Sequence, residues 1–135
     1  GLLKAEGLPA VFARHERLGG AVRAAVNCWA TAGALKLHCQ DPLGFSSSVT
    51  AIEVSQDVDP EALRVVAREK FQVAMAGGLG PLAGRVFRIG HLGDMNEPMI
   101  LGALAGIEAA MTVQKIPYGP NGMAAAIAYL AKHTP

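Results

Sequence analysis

One arginine set among apolar residues offers the clearest chemistry in this sequence. Arg85-Val86-Phe87-Arg88-Ile89-Gly90-His91-Leu92-Gly93-Asp94-Met95-Asn96-Glu97 reads as a strand, a glycine-hinged turn and a helix start. Val86, Phe87, Ile89 and Leu92 are what a buried strand offers, and Arg88 is what one avoids. An unpaired interior charge costs several kcal/mol, so Arg88 must have a partner. Its planar fork matches a carboxylate with two parallel hydrogen bonds, which makes an anionic ligand one candidate. An internal salt bridge to Glu53, Glu97 or Asp94 is the other, and residue types alone leave both open.

Further candidates surround it. Gly77-Gly78-Leu79-Gly80 can bring backbone N–H groups close to a ligand, because glycine removes the side chain that would block approach. No Lys-Ser/Thr follows, so the loop is not of the nucleotide-phosphate type, and a plain turn is its simpler reading. His91 follows the arginine strand; with no triad or metal-ligand spacing around it, a structural role is favoured over catalysis. His38 and Cys39 are neighbours on a strand and should face opposite ways, against joint metal binding. Asp94, Asn96 and Glu97 suit capping and helix-dipole roles. Ser46-Ser47-Ser48 shows no nucleophile-elbow pattern.

The elements that must position these residues can be read from periodicity. A helix runs from Pro9 to about Ala34, with Val11, Leu18, Val22, Ala25 and Trp29 on one stripe, Arg14, Arg17 and Arg23 on the surface, and Gly33 as its stop. Gly19-Gly20 in its middle suggests close approach by another backbone. Leu35–Cys39 and Val49–Val54 are strands, and Phe71–Met75 is expected as a third. Asp59-Pro60 opens a helix to about Lys70, with Asp59 as cap. Gly77–Gly84 is expected as a loop and Arg85–Gly90 as the fourth strand.

Pro98 locates the next helix start. With Asn96 as cap, the missing proline N–H falls where it would be unpaired anyway. Ile100, Leu104, Ile107 and Met111 then form a core stripe, with Gly102 and Gly106 as close-packing positions. Met123 to about His133 is a last helix, with Ile127 and Leu130 apolar. The fold class is α+β: an antiparallel sheet of three to four strands with helices packed on one face.

At 135 residues the chain fits one domain with a real core. A net charge of +1 gives no electrostatic footprint for nucleic acid, and no apolar run is long enough to span a bilayer. Cys28 and Cys39 do not make a disulfide framework, which points to a reducing compartment such as the cytosol. Leu2–Gly7 reads as the tail of a preceding helix, and Gly1 is not a natural start, so upstream residues are expected.

Phe87-Arg88-Ile89-Gly90-His91-Leu92-Gly93-Asp94-Met95-Asn96-Glu97 resembles the signature near the C-terminus of class V pyridoxal-phosphate aminotransferases, the serine–glyoxylate and alanine–glyoxylate branch above all. Met75-Ala76-Gly77-Gly78-Leu79-Gly80-Pro81 resembles the glycine-rich segment that precedes it there. The resemblance runs through nearly the whole chain. It implies that residues 1–135 are the small C-terminal domain, with residues 1–8 the tail of a preceding helix and the N-terminal cofactor domain absent.

It further implies an enzyme that moves the amino group of serine or alanine to glyoxylate or a similar small keto acid. Arg88 would bind the substrate carboxylate, and Gly77, Gly78 and Leu79 would border the pocket. His91 fits the serine–glyoxylate branch. The implied cofactor is pyridoxal phosphate. The implied partners are small amino and keto acids, the missing domain and a second subunit. The segment after Pro117 departs from the shorter alanine-type tail. None of Lys4, Lys36, Lys70, Lys115 and Lys132 sits in a context like the cofactor-lysine motif, so the fragment alone should not transaminate. Composition and topology by themselves also permit an amino-acid-binding regulatory module or a structural dimerisation domain.

Overall fold

The computed structural model describes residues 8–38, 49–78, 84–90 and 96–134. In chain order they form α1 (Leu8–Trp29), a 3-10 turn (Ala30–Ala32), β1 (Leu35–Leu37), β2 (Val49–Val54) and α2 (Pro60–Phe71). β3 (Ala76–Gly77), β4 (Val86–Gly90), α3 (Glu97–Val113) and α4 (Gly122–Lys132) follow. The strands make one sheet in the order β1-β2-β4-β3, every neighbour antiparallel. This is the α+β layer expected from the pattern.

The register sorts side chains onto two faces. Ile52 lies opposite Phe87 and Leu37, and Val54 opposite Leu35. All five join the core, with Ile89, against the helices. Residues one step out of phase, namely Lys36, Ala51, Glu53, Ala76 and Arg88, belong to the face turned away from that core. The helices complete the core with Leu18, Val22, Ala25 and Trp29 of α1 and Ile100, Leu104, Ile107 and Met111 of α3, all fully buried. Each such large apolar side chain contributes about 1.5–3 kcal/mol over leaving it in water. Val11 lies where only the backbone is described.

The helix ends follow local chemistry. The Asp59 carboxylate accepts from the Glu61 and Ala62 N–H groups, with Pro60 at the first helical position. The Asn96 side chain accepts from Met99 N–H at 2.9 Å, as the position of Pro98 required. Gly33 takes φ 90°, the left-handed conformation that stops the α1/3-10 run.

Four expectations need correction. Phe71–Met75 is not a strand: α2 continues through Phe71, Gln72 turns with φ 55°, and the ladder begins only at Ala76. The alternation is real, since Val73 and Met75 are buried while Gln72 and Ala74 are exposed. Alternation does not supply a pairing partner, and by register β4 ends opposite Ala74. Gly20 meets the ring of Tyr129, a side chain and not another backbone. Gly106 does pack closely, with Val73 Cγ2 2.5 Å from where a Cβ would sit, but Gly102 faces nothing within 4 Å. Arg17 is no surface residue: its side chain is only 12% exposed.

Smaller differences remain at the edges. β1 ends at Leu37, and Ile127 on α4 is exposed while Leu130 is buried. Cys39, Ser46–Ser48, Leu79, His91, Asp94 and the Leu2–Gly7 helix tail lie outside the described residues.

Candidate substrate-carboxylate site

Arg88 stands in the middle of β4, with Ala51 opposite it on β2 and Ala76 opposite it on β3. Two alanines leave room for a long side chain to lie across the sheet. The half-buried Arg88 Nε donates to the Gly77 carbonyl at 2.8 Å. Gly78 N–H donates to Val86 O, so Gly78 turns its polar backbone groups toward β4. Gly77, one residue out of phase, turns its carbonyl to the outer edge of β3. The guanidinium therefore reaches over the edge strand. With Nε committed, the two terminal nitrogens have no carboxylate partner among the described residues, and their end-on geometry is the one that matches a carboxylate.

Two of the three internal partners proposed from sequence are engaged elsewhere. Glu53 Oε2 lies 3.7 Å from both Lys36 Nζ and His38 Nδ1, on the β1 side. The Glu97 carboxylate is bound by Arg17. Asp94 lies outside the described residues. Among the described residues, no ion pair includes Arg88.

Of the glycine-rich segment, the described Gly77 and Gly78 are tied to β4. Gly77 pairs with Phe87, and the Gly78 N–H is spent on Val86, so that amide is not available to a ligand. What Gly77 contributes is its carbonyl. Where its Cβ would stand, Arg64 Nη1 and Glu61 Oε1 approach to 2.9 Å. Arg64 itself donates from Nε to Met75 O at 2.9 Å and pairs with Glu61. Sequence reasoning missed Arg64 and Glu61; their i, i+3 spacing on α2 was visible, but not their contact with β3.

Two other polar contacts also escaped the sequence. Arg17 donates to His133 O at 2.6 Å and Leu130 O at 3.0 Å besides Glu97, tying α1 to the end of α4 and the start of α3. Backbone hydrogen bonds at the helix start, then the Arg17 guanidinium, hold the Glu97 carboxyl below its ordinary value. The indole N–H of fully buried Trp29 donates to Glu108 at 2.9 Å, linking α1 to α3.

A separate cleft of about 550 Å³ opens between the end of α2, β4 and α3, lined by Phe71, Val73, Ile89, Pro98, Met99 and Gly102 among others. Among the described residues its lining carries no charge, a poor match to a small acid. Among the described residues, no group of three or more His, Cys, Asp or Glu gathers as a metal site, and no helix is long and apolar enough to cross a membrane.

No protein-family model matches the sequence. Individual proteins do. The chain is 46% identical over 110 residues to a serine–glyoxylate aminotransferase of Hyphomicrobium methylovorum, covering 82% of this chain and 26% of that protein. It is 43% identical over 123 residues to an L-aspartate–glyoxylate aminotransferase of Paracoccus denitrificans, covering 90% of this chain and 30% of the relative. The crystal structure of pyridoxamine–pyruvate aminotransferase from Mesorhizobium loti superposes with a TM-score of 0.86 at 31% identity, over 98% of this chain and 33% of that one. The chain belongs to the class V aminotransferases. It has the fold of their small C-terminal domain and spans only about a quarter to a third of the length of these relatives. Within this aminotransferase domain, Arg88 lies on the sheet face opposite the one that packs on the helical core.

Proposed function

We propose that the protein carrying this domain is a pyridoxal-phosphate-dependent aminotransferase that passes the amino group of serine or alanine to glyoxylate or a similar small keto acid. Arg88 is the anchor for the substrate carboxylate. The observation that carries this reading is the state of Arg88: one nitrogen is fixed by Gly77 O, and no described carboxylate answers its charge. Amino donor and keto acceptor share a carboxylate, so one fixed cation can serve both halves of a ping-pong exchange. The fork sets the carboxylate's plane and distance, which turns binding energy into orientation of the reacting carbon.

The cofactor, when bound, supplies the electron sink for amino exchange. Among the described residues, no lysine is placed to be its covalent anchor. Of the described lysines, Lys36, Lys70, Lys115 and Lys132 are all exposed, and Lys36 Nζ faces Glu53. We assign the cofactor lysine to a larger N-terminal domain. Gly77 borders the pocket through its carbonyl; Leu79 and His91 lie outside the described residues. A homodimer in the cytoplasm is the setting this reading favours.

The test uses the full-length protein. Serine, alanine and aspartate are compared as donors with glyoxylate as acceptor, for wild type, Arg88→Lys and Arg88→Ala. Loss of substrate use with normal cofactor absorbance supports the assignment. Equal loss of cofactor and substrate, or no loss of either, overturns it.

A further inference from the structure

We infer that Arg64 on α2 is a positioning residue for Arg88, acting through the edge strand β3. This rests on the reading of Arg88 as the carboxylate anchor and deepens it. Two arginines grip one short segment: Arg64 Nε holds Met75 O at 2.9 Å, and Arg88 Nε is held by Gly77 O at 2.8 Å. Both carbonyls belong to residues of the same phase, so both face the outer edge of β3. The Arg64–Glu61 pair also packs against the Gly77 Cα, where a Cβ would come within 2.9 Å of each.

β3 is only Ala76–Gly77, and its ladder to β4 has two paired positions. So short an edge has little stiffness of its own. The direction of the Arg88 fork depends on the Gly77 carbonyl, and the place of that carbonyl depends on the α2 clamp. Arg64 touches neither substrate nor cofactor in this scheme. Its effect is on where the terminal nitrogens of Arg88 point.

The experiment is a double-mutant cycle on full-length enzyme, reading KM and kcat for glyoxylate together with binding of a non-reacting dicarboxylate inhibitor such as maleate. Arg64→Ala is expected to raise the glyoxylate KM and weaken maleate roughly tenfold, with kcat and cofactor absorbance little changed. Gly77→Ala, which displaces only the mobile ends of Arg64 and Glu61, should act in the same direction. In an Arg88→Lys background, which lacks the Nε bond to Gly77, Arg64→Ala should add almost nothing.

Additive effects, or a drop in melting temperature with unchanged KM, would overturn the positioning role. If Arg88→Lys itself leaves KM and maleate binding untouched, the anchor assignment fails instead, and the two failures are told apart.

Discussion

Arg17 and Arg88 both lie partly buried, and their surroundings are opposite. Arg17, on the helix side, is consumed by the domain itself: two main-chain carbonyls and the Glu97 carboxylate take its donors. Arg88, on the other sheet face, donates from Nε to Gly77 O and enters no ion pair among the described residues. The first arrangement is what a structural arginine needs, since each guanidinium nitrogen has a partner and three helices are tied together. The second holds the side chain in direction and pairs it with no carboxylate among the described residues. Burial does not separate the two roles. Satisfaction does.

The comparison can be broken most directly at Arg88. Arg88→Ala in the full-length protein should lower kcat/KM for small amino and keto acids by about a hundredfold or more, the scale of losing a charge-assisted pair of about 3 kcal/mol. Its melting temperature should barely move. A stability loss without a kinetic one would make Arg88 a second Arg17.

Arg17→Ala should show the reverse. Removing its bonds to Leu130, His133 and Glu97 should cost about 2 kcal/mol of stability, read from the urea midpoint, with the substrate KM unchanged in the enzyme that remains folded.

Acid should weaken the same clamp. The folded Glu97 carboxyl titrates below its ordinary value of 4.5, so its contribution is complete above that value and is lost as pH falls through the lower, folded one. Glu97→Gln should flatten this part of the stability–pH profile. An unchanged slope between wild type and variant would show that Arg17 draws nothing from the charge.

The smallest effects serve as controls away from both arginines. Gly102→Ala on α3 meets nothing within 4 Å and should stabilise by up to about 1 kcal/mol through helix propensity. Gly106→Ala, one turn on, meets Val73 and should destabilise by about 1–2 kcal/mol. Thermal melts of the pair check both signs.

Much of the architecture was legible because its causes are local. Asp59-Pro60 and Asn96 with Pro98 mark helix starts through the backbone N–H groups that lack partners there. The stripe of Ile100, Leu104, Ile107 and Met111 is a direct consequence of helical spacing. The β-branched Val49–Val54 run gave a strand with those bounds. Arg88 could be singled out because a charge inside an apolar strand is an exception that demands a cause.

Tertiary structure alone decided the rest. Whether Val73 and Met75 belong to a strand depended on where β4 ends, and whether Gly102 or Gly106 is crowded depended on Val73. The sequence by itself determined which segments are helical or extended, since capping and periodicity act within a few residues. Only the fold could decide that Glu97 serves Arg17, that Glu108 serves Trp29 and that Gly77 steers Arg88. Hydrogen-bond partners distant in the chain are chosen by packing geometry, and a linear pattern carries no record of which residues that geometry brings within 3 Å.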